Sequence, residues 1–439
     1  MLESMLNAFR APDIRKRLLF VLGVLVVYRA LAHVLIPGIN PQVLNSSAPD
    51  NGFFGLLSLF SGGDIRRMSI VGLGLNPYIN ATIIMQILQS TIPSLQALSR
   101  EGEYGRNQIT KYSRYLSVPL AALQAYGILA FVQADTLRNQ GIQAYSVPFS
   151  FEKYESLSMI LALTVGSVVL MWLGELITEK GIGNGISFII FAGIVSRMPA
   201  TVGSFLGSPD WLELFAFAVV GLVIIFVIIF VQEGQRRIPI QYANRVRGHR
   251  IYQGGSTFLP LRVNMAGVIP IIFAISILLF PYQIASYFTA STVGWVKDLS
   301  TGVVSWLDTR GPLYLSLYFL LTFGFAFFYT FIVFKPDETA NNLRKSGGFI
   351  PGIRPGLPTE EYLRRVALRI TVAGAIFVAS VAVLPMVIAA LPTFRNLSNA
   401  GIGVGLGGTS VLIVVSVVVE TMKQLEAQLM MRSYEGFIR

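Results

Sequence analysis

The feature that most constrains this chain is a series of long apolar runs separated by short clusters of charge. A helix needs about 20 mostly apolar residues to cross the hydrocarbon core of a bilayer. Apolar runs of about this length predict ten membrane-spanning helices. They lie near residues 18–36, 75–93, 115–133, 156–174, 185–204, 212–232, 264–285, 312–334, 367–391 and 403–421. Only 13% of the residues are charged, which is about half the usual share of a soluble protein. The sequence therefore predicts an all-α polytopic membrane protein.

The basic residues indicate which side of the membrane each loop occupies. Most of the Lys and Arg residues lie in the N-terminal tail and in alternate loops, and far fewer lie in the remaining loops. Basic loops remain on the cytoplasmic side, so we expect both termini there. The first apolar run is too long for the core of a cleaved signal peptide and is interpreted as a retained span.

Two of the predicted cytoplasmic loops, at about 233–263 and 335–366, are long, basic and interrupted by Gly and Pro. Loops of this length usually have a function. They carry more positive charge than topology requires, which indicates an acidic or anionic partner. Anionic lipid headgroups are the alternative.

The segment at about 51–68, between the first two spans, is apolar but too short to cross the membrane. Either it re-enters a cavity lined by protein or water, or it lies on the membrane surface as an amphipathic helix. Its composition favours neither interpretation.

Four polar residues lie within the predicted spans or at the start of one: Thr82, Gln86, Gln124 and Asn264. Such groups either hydrogen-bond to a neighbouring helix or face a wet cavity. Contact between helices is the more frequent of the two.

Several kinds of chemistry are excluded by what the sequence lacks. It has no cysteine, no His-Glu-x-x-His motif, and no Asp or Glu at the middle of a predicted span, where ion-coupled transporters normally need one. The run 181–185 lacks the Lys-Ser/Thr pair of a phosphate-binding loop. It is interpreted as a tight turn in which Asn184 or Gly185 starts the fifth helix. We therefore expect no enzyme, no metal and no cofactor, which leaves a channel, a transporter with a midplane site or a non-conducting scaffold.

Four stretches of the sequence, in the same order along the chain, resemble the SecY family. They are MWLGELITEKGIGNGIS at 171–187, LPLRVNMAGVIP at 259–270, FIPGIRPG at 349–356 and GGTS at 407–410. The resemblance covers nearly the whole chain. It implies a channel through which unfolded secretory polypeptides cross the bacterial inner membrane, with a lateral gate that releases hydrophobic segments sideways into lipid.

The resemblance also implies an architecture. Two pseudosymmetric five-helix halves are expected, at 1–206 with a re-entrant plug helix at about 51–68, and at 207–439 with the two large loops at about 233–263 and 335–366. The pore would run between the halves. The family's partners are the SecE and SecG subunits, the SecA ATPase, the ribosome, signal peptides and nascent chains, and membrane lipids.

Roles for individual residues follow from the same resemblance. A ring of aliphatic side chains would close the pore: Leu75, Ile79, Ile186, Ile190, Ile272 and Ile413, with leucine at the first place where the family usually has isoleucine. The candidate plug residues are Phe53, Phe54, Leu57, Phe60, Arg66 and Arg67. The candidate lateral-gate residues are Thr82, Gln86, Gln124 and Asn264. Partner docking is expected at Arg354, supported by Arg236, Arg237, Arg245 and Arg247.

Overall fold

The computed structural model describes residues 11–38, 68–140, 154–196, 198–199, 203, 211–242, 245–247, 250–252, 255–288, 293–307, 311–390 and 408–438. Its helices are α1 (Pro12–Leu31), α2 (Asn76–Thr91), α3 (Pro93–Arg100), α4 (Glu103–Gln140), α5 (Tyr154–Lys180), α6 (Gly185–Val195), α7 (Trp211–Glu233), α8 (Ile269–Phe288), α9 (Gly294–Trp306), α10 (Pro312–Val333), α11 (Pro336–Lys345), α12 (Leu357–Ala390) and α13 (Gly408–Ile438). Every predicted span overlaps one of these helices, and the all-α class is confirmed.

Three stretches of the described residues are long and apolar enough to cross a membrane: Tyr154–Lys180, Pro312–Lys345 and Leu357–Leu384. Three further helical stretches are apolar but shorter, namely Gly185–Val195, Ala218–Glu233 and Ile269–Tyr282. The membrane class therefore rests on several helices. The total of ten crossing helices stays a prediction.

Some predicted boundaries are wrong, because apolar runs mark only the lipid-facing length of a helix. Helix α1 begins at Pro12, nearly two turns before the run that predicted it, and α12 begins at Leu357, nearly three turns before its run. Pro is well suited to the first turn of a helix, and Arg and Lys are good helix formers. The basic residues Arg15, Lys16 and Arg17 therefore lie on α1 instead of in a tail.

The two long basic loops contain a three-stranded antiparallel sheet that the sequence analysis did not predict. The strands are β1 (Gln235–Tyr242), β4 (Ser256–Arg262) and β5 (Gly348–Phe349), in the order β4-β1-β5. Strands β2 (Arg245–Arg247) and β3 (Arg250–Tyr252) form a separate hairpin between β1 and β4. Because β5 belongs to the second loop and pairs with β1, the two loops form one structural unit.

This sheet has an apolar core of its own. Ile238 and Ile240 alternate with exposed residues along β1 and are 1% and 3% exposed. They pack with Leu261 of β4 and with residues of α11, the β5 segment and α12: Ala340, Leu343, Ile350, Leu363 and Val366. The alternation is typical of a sheet with one buried face.

The main core lies among the membrane helices. One continuous apolar cluster includes residues of α1, α2, α4, α5, α6, α8, α10, α12 and α13. Helix α8 is central to it, since α8 contacts α2, α4, α10 and α12. The cluster thus joins the two predicted halves.

Candidate functional site

All six residues of the predicted aliphatic ring belong to the main core. They come from the start of α2 (Leu75 and Ile79), from α6 (Ile186 and Ile190), from α8 (Ile272) and from α13 (Ile413). Five of them are between 1% and 8% exposed, and the partly buried Ile186 packs against the same cluster. The structure therefore brings together side chains that are up to 338 positions apart in the chain.

A short turn before α2 fixes the position of Leu75. Gly74 has a φ of 60°, which is the left-handed region that favours glycine. The buried Ser167 of α5 donates a hydrogen bond from its hydroxyl to the carbonyl of Gly74, at 3.1 Å. Sequence reasoning missed this contact, because the two residues are far apart in the chain and Ser167 resembles any other small residue of an apolar helix.

The turn between α5 and α6 places Ile186 and Ile190. A Cβ atom on Gly185 would lie 1.8 Å from the carbonyl oxygen of Gly174, so only glycine allows the two helices to approach this closely. The side chain of Asn184 caps α6 by accepting hydrogen bonds from the backbone N–H groups of Ile186 at 3.0 Å and Ser187 at 3.4 Å. The predicted tight turn is confirmed, and so is the start of the fifth predicted span, which is helix α6.

The same turn leaves few donors for a phosphate. The N–H of Gly185 donates to the hydroxyl of Thr178 at 2.9 Å, and Asn184 accepts the next two N–H groups. A phosphate-binding loop needs such backbone N–H groups free to face the anion. The geometry therefore agrees with a structural turn.

The four candidate gate residues do not share one hydrogen-bond network in the described part of the chain. Thr82 donates to the carbonyl of Ile79 in its own helix at 2.7 Å. Asn264 makes both of its hydrogen bonds with Gly267, at 3.1 and 2.9 Å, and so shapes the turn before α8. It precedes α8 by a full turn, so the expectation that it begins the seventh helix is wrong.

The remaining two gate candidates carry buried amide atoms. Oε1 of Gln86 and Nε2 of Gln124 are both inaccessible to water and have no hydrogen-bond partner among the described residues. Gln86 lies on α2 and Gln124 on α4; these helices contact each other, and both contact α8. An unpaired buried amide costs about 1–3 kcal/mol, so this seam is less stable than a fully apolar contact.

The candidate plug residues Phe53, Phe54, Leu57, Phe60, Arg66 and Arg67 lie outside the described residues. The described residues end at Gly38 and resume at Met68, and hydrogen bonds join these two flanking stretches. The N–H of Ile36 donates to the carbonyl of Met68 at 3.0 Å, and the N–H of Ile70 donates to the carbonyl of Val34 at 2.9 Å. These two hydrogen bonds join the stretch after α1 to the stretch that leads into α2.

The candidate docking residues lie on or beside the three-stranded sheet and its hairpin. Arg236 and Arg237 are exposed on β1, and Arg354 is exposed in the turn after β5. Arg245 and Arg247 are the end residues of β2. The carbonyl of Arg354 accepts a hydrogen bond from the hydroxyl of Thr359 at 2.8 Å, which fixes that turn to the start of α12.

Two ion pairs join the carboxylates near the ends of α5 and α7 to neighbouring helices. Arg114 of α4 contacts Glu175 of α5 at 2.6 Å, and Lys423 of α13 contacts Glu233 of α7 at 2.9 Å. Close to the second pair, the side-chain amide of Gln232 donates to the hydroxyl of Ser416. The sequence did not indicate these pairings, because the partners lie far apart in the chain.

Several apolar helices around one buried core, with a separate basic sheet that has a small core of its own, define a polytopic membrane protein. Solved structures of known channels share this fold, including the following two. One of them, the structure of a protein-conducting channel, superposes with a TM-score of 0.62 at 19% identity, over 93% of this chain and 91% of the other. The second is Sec61 in the canine ribosome–channel complex from the endoplasmic reticulum, with a TM-score of 0.58 at 18% identity over the same shares.

Sequence comparison gives the family. The SecY family model matches residues 69–422. The protein translocase subunit SecY of Streptomyces scabiei is 43% identical over 448 aligned residues, and that of Mycobacterium tuberculosis is 42% identical over 455, with the whole of each chain covered in both cases. The chain belongs to the SecY family. It is accordingly a membrane-embedded Sec translocation channel and is not an enzyme.

Proposed function

We propose that this chain is the pore-forming subunit of a bacterial Sec channel in the cytoplasmic membrane, with both termini cytoplasmic. Unfolded polypeptides pass between two halves, residues 1–206 and 207–439. The observation that carries this proposal is the aliphatic ring. Its members come from two helices of the first half and two of the second, and they meet in one buried cluster.

The chemistry of the ring suits a seal that must also open. A narrow apolar constriction excludes water and thereby blocks ions. Aliphatic side chains form no directional bonds, so separation of the halves breaks only dispersion contacts and exposes apolar area. The same side chains can then close around a passing polypeptide of any sequence.

The seam between α2 and α4 on one side and α8 and α10 on the other is proposed as the lateral gate. The unpaired amide atoms of Gln86 and Gln124 support a seam that opens at low cost. A segment of about 20 apolar residues gains free energy by leaving a wet pore for lipid, whereas a polar segment does not. Partition through the seam would then decide between insertion and secretion.

The basic sheet is proposed as the docking surface for the SecA ATPase and the ribosome. Arg354, Arg236 and Arg237 are exposed there, and arginine binds carboxylates and phosphates in a bidentate manner. The related canine Sec61 structure is a complex with a ribosome. The SecE and SecG subunits and signal peptides complete the proposed set of partners.

Cysteine crosslinking tests the path of the polypeptide, because the chain has no cysteine of its own. Ile79→Cys, Ile186→Cys and Ile272→Cys are introduced singly, and a secretory precursor with one cysteine is arrested midway through translocation. We expect disulfides with the precursor at all three positions.

Ile84→Cys is the matched control, since Ile84 lies on α2 like Ile79 but is 38% exposed. No disulfide is expected there. Intact translocation without crosslinks at the three ring positions would mean that the polypeptide takes another path, and the proposed function would be withdrawn.

A further inference from the structure

Helix α9 lies at the end of the bundle opposite to the three-stranded sheet. The sheet leads into the start of α8 through β4, and α9 follows the far end of α8 and precedes the start of α10. Helix α9 also packs against α8. With the basic sheet on the cytoplasmic side, α9 is at the level of the external membrane surface.

Three different faces run along α9. One face packs onto the protein and includes Val296, Val303 and the 2% exposed Ser300. A second face carries exposed charged and hydroxyl residues: Lys297, Asp298, Thr301 and Ser305. The third face carries an exposed apolar strip, defined as Trp295, Leu299 and Trp306.

The apolar strip is unusual in its exposure. Trp295 is 72% exposed, Leu299 63% and Trp306 69%. The spacing of four and seven residues keeps the three side chains on one face, over about 16 Å of helix. Exposure of two tryptophans at the ends of such a strip to water is unfavourable, since each can bury about 200 Å² of ring surface.

Neighbouring helices extend the apolar surface at the same level. The external end of α8 exposes Ile284 and Phe288, and the external end of α10 exposes Leu313. These residues belong to helices that cross the membrane in the proposed function, so their exposed sides face lipid. The strip on α9 is exposed at the same end of the bundle.

We propose that α9 is an interfacial helix that lies in the plane of the external leaflet, with the apolar strip at the boundary between headgroups and acyl chains. Tryptophan is enriched at this depth because its ring is apolar and its N–H is polar. A helix with one apolar and one charged face is the form that binds such an interface. The ligand is therefore the phospholipid surface, and α9 anchors the external ends of α8 and α10 to it.

Nitroxide labels on single cysteines test the depth of α9. Trp295→Cys, Leu299→Cys and Trp306→Cys carry the label on the strip, and Asp298→Cys and Thr301→Cys carry it on the polar face of the same helix. The full-length chain, in its complex, is reconstituted into vesicles of phosphatidylethanolamine and phosphatidylglycerol. Collisions of each label with oxygen, which concentrates among acyl chains, are compared with collisions with a water-soluble nickel chelate.

We expect a several-fold higher ratio of oxygen to nickel collisions at the three strip positions than at the two polar positions. Equal, water-like ratios on both faces would show that α9 stands away from the bilayer and would overturn the proposal. Low collision rates with both reagents on the strip would also overturn it, because they would mean that protein covers the strip.

Native tryptophan fluorescence provides a second measurement that leaves the strip intact. The chain has four tryptophans, and Trp172→Phe with Trp211→Phe leaves only Trp295 and Trp306. Lipids brominated near the headgroup should quench this emission more than lipids brominated near the chain ends. Emission that neither lipid quenches would contradict the proposal.

Discussion

The six residues of the predicted aliphatic ring, which are part of the main core, and the separate core of the three-stranded sheet are both apolar, but they are held together in different ways. The ring consists of side chains from four helices with no hydrogen bonds between those side chains. The sheet core is enclosed by a fixed backbone register, in which Ile238 lies opposite Leu259 and Gln241 opposite both Ser256 and Phe349. A cluster without directional bonds can separate and reform, whereas a hydrogen-bonded register resists sliding. If the six residues form the proposed ring, they can separate and close again, whereas the sheet keeps one register.

The sheet core should show the largest loss of stability. Ile240→Ala removes a 3% exposed side chain from a rigid cluster, and such truncations cost about 2–5 kcal/mol. We expect faster hydrogen exchange at the amides of β1 and β4 in reconstituted vesicles. Gln241→Ala, at the exposed neighbouring position, should leave exchange unchanged. Equal exchange in the two variants would mean that the sheet does not depend on its core.

Polar substitutions in the aliphatic ring should increase the leakage of ions through the resting channel. Ile79→Asn and Ile272→Asn introduce amides that favour hydration of the constriction by about 2 kcal/mol each, which corresponds to roughly 30-fold per site in ion permeation. Chloride flux from vesicles with the resting channel measures this. Ile79→Val keeps the ring apolar and should leak far less. Flux as low for the asparagine variants as for valine would place the seal elsewhere.

A smaller effect is expected where the ring is attached to its support. Ser167→Ala removes the hydrogen bond to the carbonyl of Gly74 and should lower the free energy of unfolding by about 1 kcal/mol. Thermal unfolding of the purified complex measures it. Ser158→Ala is the control on the same helix, since Ser158 is exposed and bonds only within its own turn. An identical Tm for both variants would show that Leu75 needs no such anchor.

The smallest change in stability should come from the surface of the sheet. Arg236→Ala alters an exposed side chain and should change the free energy of unfolding by less than about 0.5 kcal/mol. Its affinity for SecA or the ribosome should nevertheless fall, and should depend less on salt, because a charge contact has been lost. Binding measured at several salt concentrations checks this. Unchanged affinity and salt dependence would exclude Arg236 from docking.

The sequence predicted what depends on local pattern. The ten apolar runs each mark a helix, and the start of one of them was predicted at Asn184 or Gly185; Asn184 is its cap and Gly185 its first residue. In β1 the alternation of the apolar residues Ile238 and Ile240 with polar residues is typical of a strand, although no strand was predicted there. The pairing of β1 with β5 could not be predicted, because it joins residues more than 100 positions apart through backbone atoms, which carry no sequence signature.

Parts of the candidate site could not be predicted for a related reason. Asn264 was expected at the start of a helix, but its hydrogen bonds with Gly267 stabilise a turn there. Competition between a side chain and the backbone for the same partners decides such positions, and hydropathy does not register it. The contact between Ser167 and Gly74 depends likewise on how two distant helices pack.

The antiparallel pairing of β1 with β4 has a consequence for a chain made in two pieces. The hairpin between them lies at the end of the bundle, so a break there would leave β1 at the end of one polypeptide and β4 at the start of the other. Seven paired positions, from Gln235 with Arg262 to Gln241 with Ser256, would let the separate fragments recognise each other. The pairing of β1 with β4 would thus hold the two fragments together without a covalent link.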